Sequence, residues 1–197
     1  MAKAKFEVPE LKQYAEIPPV TPGAMSHSTG PFVAKPEHQE PLGFPGELVD
    51  GWEAKSIEKM GDLLSRYRSL RVFLDSCVKC GSCTDKCHYY IGTKDPKNMP
   101  VGRQDLLRKV YRRYFTLAGK FFPKLVGAED MTREVLDDWY SYFHQCSQCR
   151  RCSVFCPYGI DTAEISMAAR EIMDHIGVGQ KYCNEIIAKV YKIGNNL

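Results

Sequence analysis

The sequence predicts a mainly α fold preceded by an extended, proline-rich arm. Three observations predict it. Apolar residues recur at helical spacing from about Trp52 onward, no segment alternates convincingly with period two, and 8 of the 12 prolines fall within residues 1–50. The expected organisation is an arm over residues 1–50 and one helical domain over residues 51–197, a size suited to a single core.

In the arm, Pro9, Pro18, Pro19, Pro22, Pro31, Pro36, Pro41 and Pro45 block helix and ladder alike. Phe6, Val8, Leu11, Tyr14, Phe32, Val33, Leu42 and Phe44 are more apolar anchors than a solvated linker needs. The arm therefore reads as a strap laid over a partner or over its own domain. Behind it, Ile57, Met60, Leu63, Leu64, Tyr67, Leu70 and Leu74 form one helical stripe. A second stripe, Leu106, Leu107, Val110, Tyr111, Tyr114 and Phe115, follows Pro100-Val-Gly102. Val135, Leu136, Trp139, Tyr140 and Phe143 make a third behind Thr132, an N-cap residue type. A fourth helix opens at Asp161-Thr-Ala-Glu164, a capping-box pattern, and stops at Gly177. Tyr182, Ile186, Ile187, Val190 and Tyr191 suggest a fifth, ending at Gly194.

Composition narrows the class. The chain is 44% hydrophobic and 26% charged, with mean hydropathy −0.36. Its most apolar stretch, Tyr114 to Gly127, is cut by Lys120, Pro123 and Lys124, well short of the ~18 apolar residues of a membrane helix. No transmembrane segment of its own is expected, and no secretory signal, because no apolar region follows the basic start. The net charge of +3 is too balanced for a nucleic-acid binder, but it is unevenly spread. Residues 1–78 carry 9 basic and 11 acidic side chains, residues 79–128 carry 11 and 3, and residues 129–197 carry 7 and 10.

Nine cysteines all lie after residue 76, and eight fall into two runs. The first is Cys77-Val-Lys-Cys80-Gly-Ser-Cys83-Thr-Asp-Lys-Cys87-His88; the second is Cys146-Ser-Gln-Cys149-Arg-Arg-Cys152-Ser-Val-Phe-Cys156-Pro157. Both read C-x2-C-x2-C-x3-C, and each cysteine of the second stands 69 residues after its counterpart. Tight clustering in pairs and triplets reads as metal ligation, whereas disulfide frameworks spread their cysteines. Three thiolates at i, i+3 and i+6 suit three irons of a cubane, and the fourth cysteine of such a run serves the other cluster in two-cluster ferredoxins. Cys77, Cys80, Cys83 and Cys156 are accordingly assigned to cluster 1, and Cys146, Cys149, Cys152 and Cys87 to cluster 2, both [4Fe–4S]. Four-cysteine zinc sites usually take two C-x2-C pairs, which disfavours zinc.

Two clusters sharing crossed ligands must lie close together, as electron transfer requires. They would add a charge of about −4, which the basic middle segment partly answers. That segment is also a candidate docking face for an acidic partner. His88, at the position of Pro157, reads as a packed loop histidine, and Cys183 as a small buried hydrophobe.

The 58 residues between Cys87 and Cys146 read as helices, unlike the brief connection of short, sheet-containing ferredoxins. This resembles the alpha-helical ferredoxin fold of heterodisulfide reductase C subunits and of succinate dehydrogenase and fumarate reductase iron–sulfur subunits. Cys77 to Gly92, Asp95-Pro-Lys-Asn-Met-Pro100 and Gln145 to Glu164 are most similar to the K subunit of the Dsr MKJOP complex, over roughly residues 50–197. The resemblance implies an iron–sulfur subunit of sulfur metabolism, cytoplasmic and peripherally associated with the inner face of the cell membrane. It further implies electron exchange between a quinone-linked cytochrome b subunit and a small sulfur-carrier protein bearing a disulfide or trisulfide. That family continues into cysteine-rich CCG modules, absent up to Leu197, so a short relay chain or an N-terminal fragment is expected. The runner-up is a free-standing C-type relay subunit of a soluble heterodisulfide reductase. A redox sensor ranks lower: Arg103, Arg108, Lys109, Arg112 and Arg113 could imitate a recognition helix, but no helix-turn-helix chemistry surrounds them. A stand-alone enzyme is weaker still, for no nucleophile–base pair, phosphate loop or flavin fingerprint occurs.

Overall fold

The computed structural model describes residues 48–180 together with Cys183, Ile186, Ile187 and Val190. The arm, apart from residues 48–50, and most of the fifth expected helix lie outside the described residues. Leu48 and Val49 pack against the core, and Val49 N–H donates to Ile176 O at 3.2 Å. Among the described residues the architecture is helical and no strand forms.

The first stripe divides into α1 (Trp52–Arg66) and α2 (Arg68–Ser76), broken at extended Tyr67 with φ −111 and ψ 93. One continuous helix was expected there. Met60, Leu63 and Leu64 before the break and Leu70 and Leu74 after it are all buried, so the apolar period runs across a bend it does not reveal. Tyr67 itself is 45% exposed and takes no part in the core.

The chain continues through α3 (His88–Thr93), α4 (Pro100–Phe115), α5 (Leu117–Phe121) and α6 (Pro123–Val126). Then come α7 (Arg133–His144), α8 (Arg151–Val154) and α9 (Thr162–His175). Pro100 suits the first position of α4, where no intrahelical donor is needed. Thr132 caps α7, accepting from Val135 N–H at 3.4 Å. Asp161 caps α9, accepting from Ala163 N–H at 2.9 Å. The reciprocal half of the capping box does not form: Glu164 accepts from Ser69 Oγ on α2, a tertiary bond outside the reach of local pattern. Gly177, at φ 92, lies just beyond the end of α9.

Helix α9 is central, packing against α7, α1 and α4. Leu107, Val110, Leu136, Trp139, Phe143, Ile165, Ile172 and Met173 are buried among these helices. Each large side chain so buried contributes roughly 1.5–3 kcal/mol relative to exposure. Trp139 Nε1–H satisfies its polar edge on Leu106 O at 3.2 Å. Gly102 allows the start of α4 to abut the preceding turn, since a Cβ there would stand 2.4 Å from Pro96 O.

Cys183 is exposed, against the expectation of a buried hydrophobe; it lies on the segment beyond α9, past the core. Leu117, Phe121, Phe122 and Leu125, from the most apolar stretch, are 64–85% exposed. No helix among the described residues is long and apolar enough to cross a membrane.

Candidate metal centres

The sequence repeat is also a backbone repeat. Lys79 and Gln148, 69 positions apart, both have φ 57; Gly81 and Arg150, likewise paired, have φ 81 and 58. Each run thus curls through two left-handed residues, one between its first and second cysteines and one between its second and third. A single helical turn then leads toward the fourth cysteine: Thr84–Lys86 directly after Cys83 in the first run, and α8, which contains Cys152, in the second.

Two cavities open between the runs. The first has about 360 Å³ of empty space, open solvent included, and is lined by Cys77, Cys80, Cys83, Cys156 and Cys152. The second, about 340 Å³, is lined by Cys87, Cys146, Cys149 and Cys152. Each gathers three cysteines of one run and the trailing cysteine of the other, with Cys152 common to both. Pro157 lines the first cavity and His88 its counterpart position in the second. His88 Nε2 lies 3.4 Å from Ser147 Oγ, joining the two runs.

The first turns of α4 and α9 form the floor of both cavities, Val101 and Thr162 facing the first and Pro100 and Ala163 the second. Helix N-termini carry partial positive charge, which favours an anionic occupant. Burial pushes the Cys83 thiol up to about 11, opposed by a hydrogen bond from the Val101 backbone. Cys152 is raised by burial in the same way, opposed by Thr162. Cys80, exposed, is lowered by its hydrogen bond with Ser82. Half-buried thiols gathered in this way are held as thiolates when a cationic group compensates them.

All nine cysteines are free thiols. Among the described residues no group of three or more His, Cys, Asp or Glu side chains is placed to hold a single metal ion. The thiols instead line the walls of cavities, a donor set and a spacing that fit an iron–sulfur cluster.

A buried and a half-buried arginine tie down the starts of the two runs, and local pattern did not single out that role. Arg108 Nη1 donates to Cys77 O at 2.8 Å, while its Nε meets Asp105 Oδ1 at 3.1 Å. Asp105 also takes Lys79 Nζ at 2.6 Å. Burial works to raise the Asp105 carboxyl, but Lys79 and Arg108 together hold it below its usual range. For the second run, Arg170 donates to Phe143 O at 2.6 Å and to Cys146 O. Burial pushes the Arg170 guanidinium down, with Cys146 opposing and Arg103 adding to the effect. The available signal was a cation inside an apolar stripe, Arg108 beside Leu107 and Arg170 beside Ala169. Arg103 and Arg108 are buried, which removes them from any nucleic-acid recognition face. Much of the basic middle segment is internally paired: Lys79, Lys86, Lys97, Arg108, Lys109 and Arg113 all sit in ion pairs.

Residues 73–160 match the family model of the 4Fe-4S dicluster domain. Fold and matched domain agree: a helical chain with a segment similar to the 4Fe-4S dicluster domain. The chain is 52% identical over 151 residues to the Hdr-like menaquinol oxidoreductase iron-sulfur subunit 2 of Archaeoglobus fulgidus, covering 77% of this chain and 27% of that one. It is 40% identical over 213 residues to the Hdr-like menaquinol oxidoreductase iron-sulfur subunit of Archaeoglobus profundus, covering 97% of this chain and 38% of that one. One subunit of the dihydromethanophenazine:CoB–CoM heterodisulfide reductase of Methanosarcina barkeri is 30% identical over 106 residues, 54% of this chain and 25% of that one. The chain therefore spans between a quarter and two fifths of the length of these relatives. No solved structure matches it.

Proposed function

We propose that this chain relays electrons through two [4Fe–4S] clusters within a membrane-associated, heterodisulfide-reductase-like complex. One observation carries the reading: each cavity is lined by three cysteines of one run and the trailing cysteine of the other, with Cys152 shared between them. Cys77, Cys80, Cys83 and Cys156 would hold one cluster, and Cys146, Cys149, Cys152 and Cys87 the other. One-electron reduction and oxidation are the chemistry such a group supplies when bound. The chain's own part is to supply thiolates, hold the two runs at a shared wall and balance charge. Cys152 lines both cavities, so the two sites adjoin, as a relay needs.

The relatives named for menaquinol and dihydromethanophenazine support a quinone-linked, cytochrome b-type subunit as one partner. The likeness to the K subunit of the Dsr MKJOP complex extends the reading to a sulfur carrier bearing a disulfide or trisulfide. Such a subunit would sit peripherally on the inner face of the membrane.

Anaerobic reconstitution should load about eight irons and eight acid-labile sulfides per chain; two zincs without sulfide would overturn the reading. Cys87→Ala should disturb the same paramagnetic signal as Cys149→Ala. If it tracks Cys80→Ala instead, each run serves its own centre and the crossed arrangement fails. Isolation from native membranes should bring a cytochrome b-type chain with it, and isolation without haem would sink the proposed membrane partner.

A further inference from the structure

Helix α4 divides its first turns between the two cavities. Val101 and Gln104 face the first; Pro100 and Arg103 face the second. A neutral amide thus stands on one side and a guanidinium on the other, at adjacent positions of one helix. Arg103 is 2% exposed. Its Nε donates to Tyr142 O at 2.8 Å, and its Nη2 to Asn98 O at 3.3 Å and Asn98 Oδ1 at 3.2 Å. These acceptors are neutral, and among the described residues no carboxylate forms an ion pair with Arg103. A cation removed from water is costly unless an opposite charge meets it.

Arg108, five positions along the same helix and 1% exposed, is different. Asp105 meets it at 3.1 Å and also takes Lys79, so one carboxylate answers both cations in part, and neither Arg108 nor Lys79 lines the first cavity. Among the described residues, no Lys, Arg, Asp or Glu side chain lines the first cavity. In the second, Lys86 and Arg150 add further cations, but each has a carboxylate, Asp85 at 2.8 Å and Asp161 at 3.3 Å. Among the described residues, Arg103 is the lining cation without a carboxylate to answer it.

We propose that Arg103 is the buried countercharge of the centre held in the second cavity, and that it sets this centre's potential above that of the centre in the first. The inference rests on the two-cluster reading above. Reduction adds negative charge, and a fixed cation in a low-dielectric site stabilises the reduced form. One electron shared between the two centres therefore resides on the second, which gives the relay a polarity.

The test is a redox titration of the anaerobically reconstituted chain, followed by electron paramagnetic resonance. Two components should separate. Cys149→Ser should alter the spectrum of the component reduced first, and Cys80→Ser that of the component reduced second. The reverse assignment overturns the proposed order, and it is read on chains that keep Arg103. Arg103→Gln should lower the potential of the first-reduced component, with about a tenfold smaller reduced-to-oxidised ratio at fixed potential, or about 59 mV for one electron. Arg103→Lys should restore most of it, as a purely structural role would not require. Equal shifts of both components, or no shift, overturn the role of Arg103. Should Arg103→Gln fail to fold, the serine variants decide the order, and Arg103→Lys decides the role by keeping or losing the separation of the components. Eight irons with unshifted potentials fail this inference alone, whereas iron for a single cluster fails the two-cluster reading itself.

Discussion

The two cavities arise from one repeated motif, yet their walls differ in charge. Val78, Val101, Gln104, Pro157, Tyr158 and Ile160 surround the first; Lys86, His88, Arg103 and Arg150 stand at the second. The backbone is shared, with left-handed residues at equivalent positions in both runs. The difference lies in what the supporting helices present and in how each run is anchored. Arg108 holds the first run with a carboxylate at its back, whereas Arg170 holds the second through carbonyls alone. Duplicated ligand geometry can thus be differentiated by side chains that ligate nothing.

The anchors offer the largest expected effect. Arg170→Met leaves His144 O and Cys146 O without the donor they now share, and at half-buried positions each unsatisfied group costs toward the lower end of about 1–3 kcal/mol. Arg108→Met loses the bond to Cys77 O and the pair with Asp105, but Asp105 keeps Lys79 and the change removes Nη2, a buried atom without a hydrogen-bond partner. Denaturant titration should therefore show a loss of about 2–3 kcal/mol for Arg170→Met and a smaller one for Arg108→Met. Equal losses would show the two anchors to be interchangeable.

The left-handed positions come next. Gly81→Ala meets no clash, its Cβ reaching only Thr84 Oγ1 at 3.9 Å, so the cost is conformational, about 1–2 kcal/mol. Arg150 holds the equivalent position at φ 58 with a side chain, and Arg150→Gly should relieve part of that strain. The expected outcome is opposite signs in melting temperature. A loss in both would show that the Arg150–Asp161 pair outweighs the backbone term.

The smallest effect is acid sensitivity at Asp105. Its folded carboxyl is held below the usual range, so the stability it contributes is present above the unfolded value near ~3.9 and is lost as pH falls through the folded value. Asp105→Asn should be less stable at neutral pH and show a shallower decline below about pH 4. An unchanged acid limb would mean the pair with Lys79 contributes nothing measurable, as many exposed ion pairs do.

How much was legible follows from the range of each interaction. The stripes over α4, α7 and α9 were readable because burial imposes a 3.6-residue period on the chain itself. The caps at Thr132 and Asp161 act within three residues. The bend at Tyr67 was hidden because both helices keep the same apolar phase, and Glu164 was misread because its partner, Ser69, is 95 residues away.

The same division governs the site. By itself the sequence determined the thiol set, the curl of each run and the equivalence of the two, because ligand spacing and turn geometry are local. Only the tertiary structure decided that Arg103 and Arg108 are drawn into the interior and Arg170 partly so, which backbone carbonyls they hold, and that α4 turns an amide to one cavity and a cation to the other. Those facts depend on how helices pack across tens of residues, where a guanidinium on an apolar stripe reads the same whether it meets a carboxylate, a carbonyl or solvent.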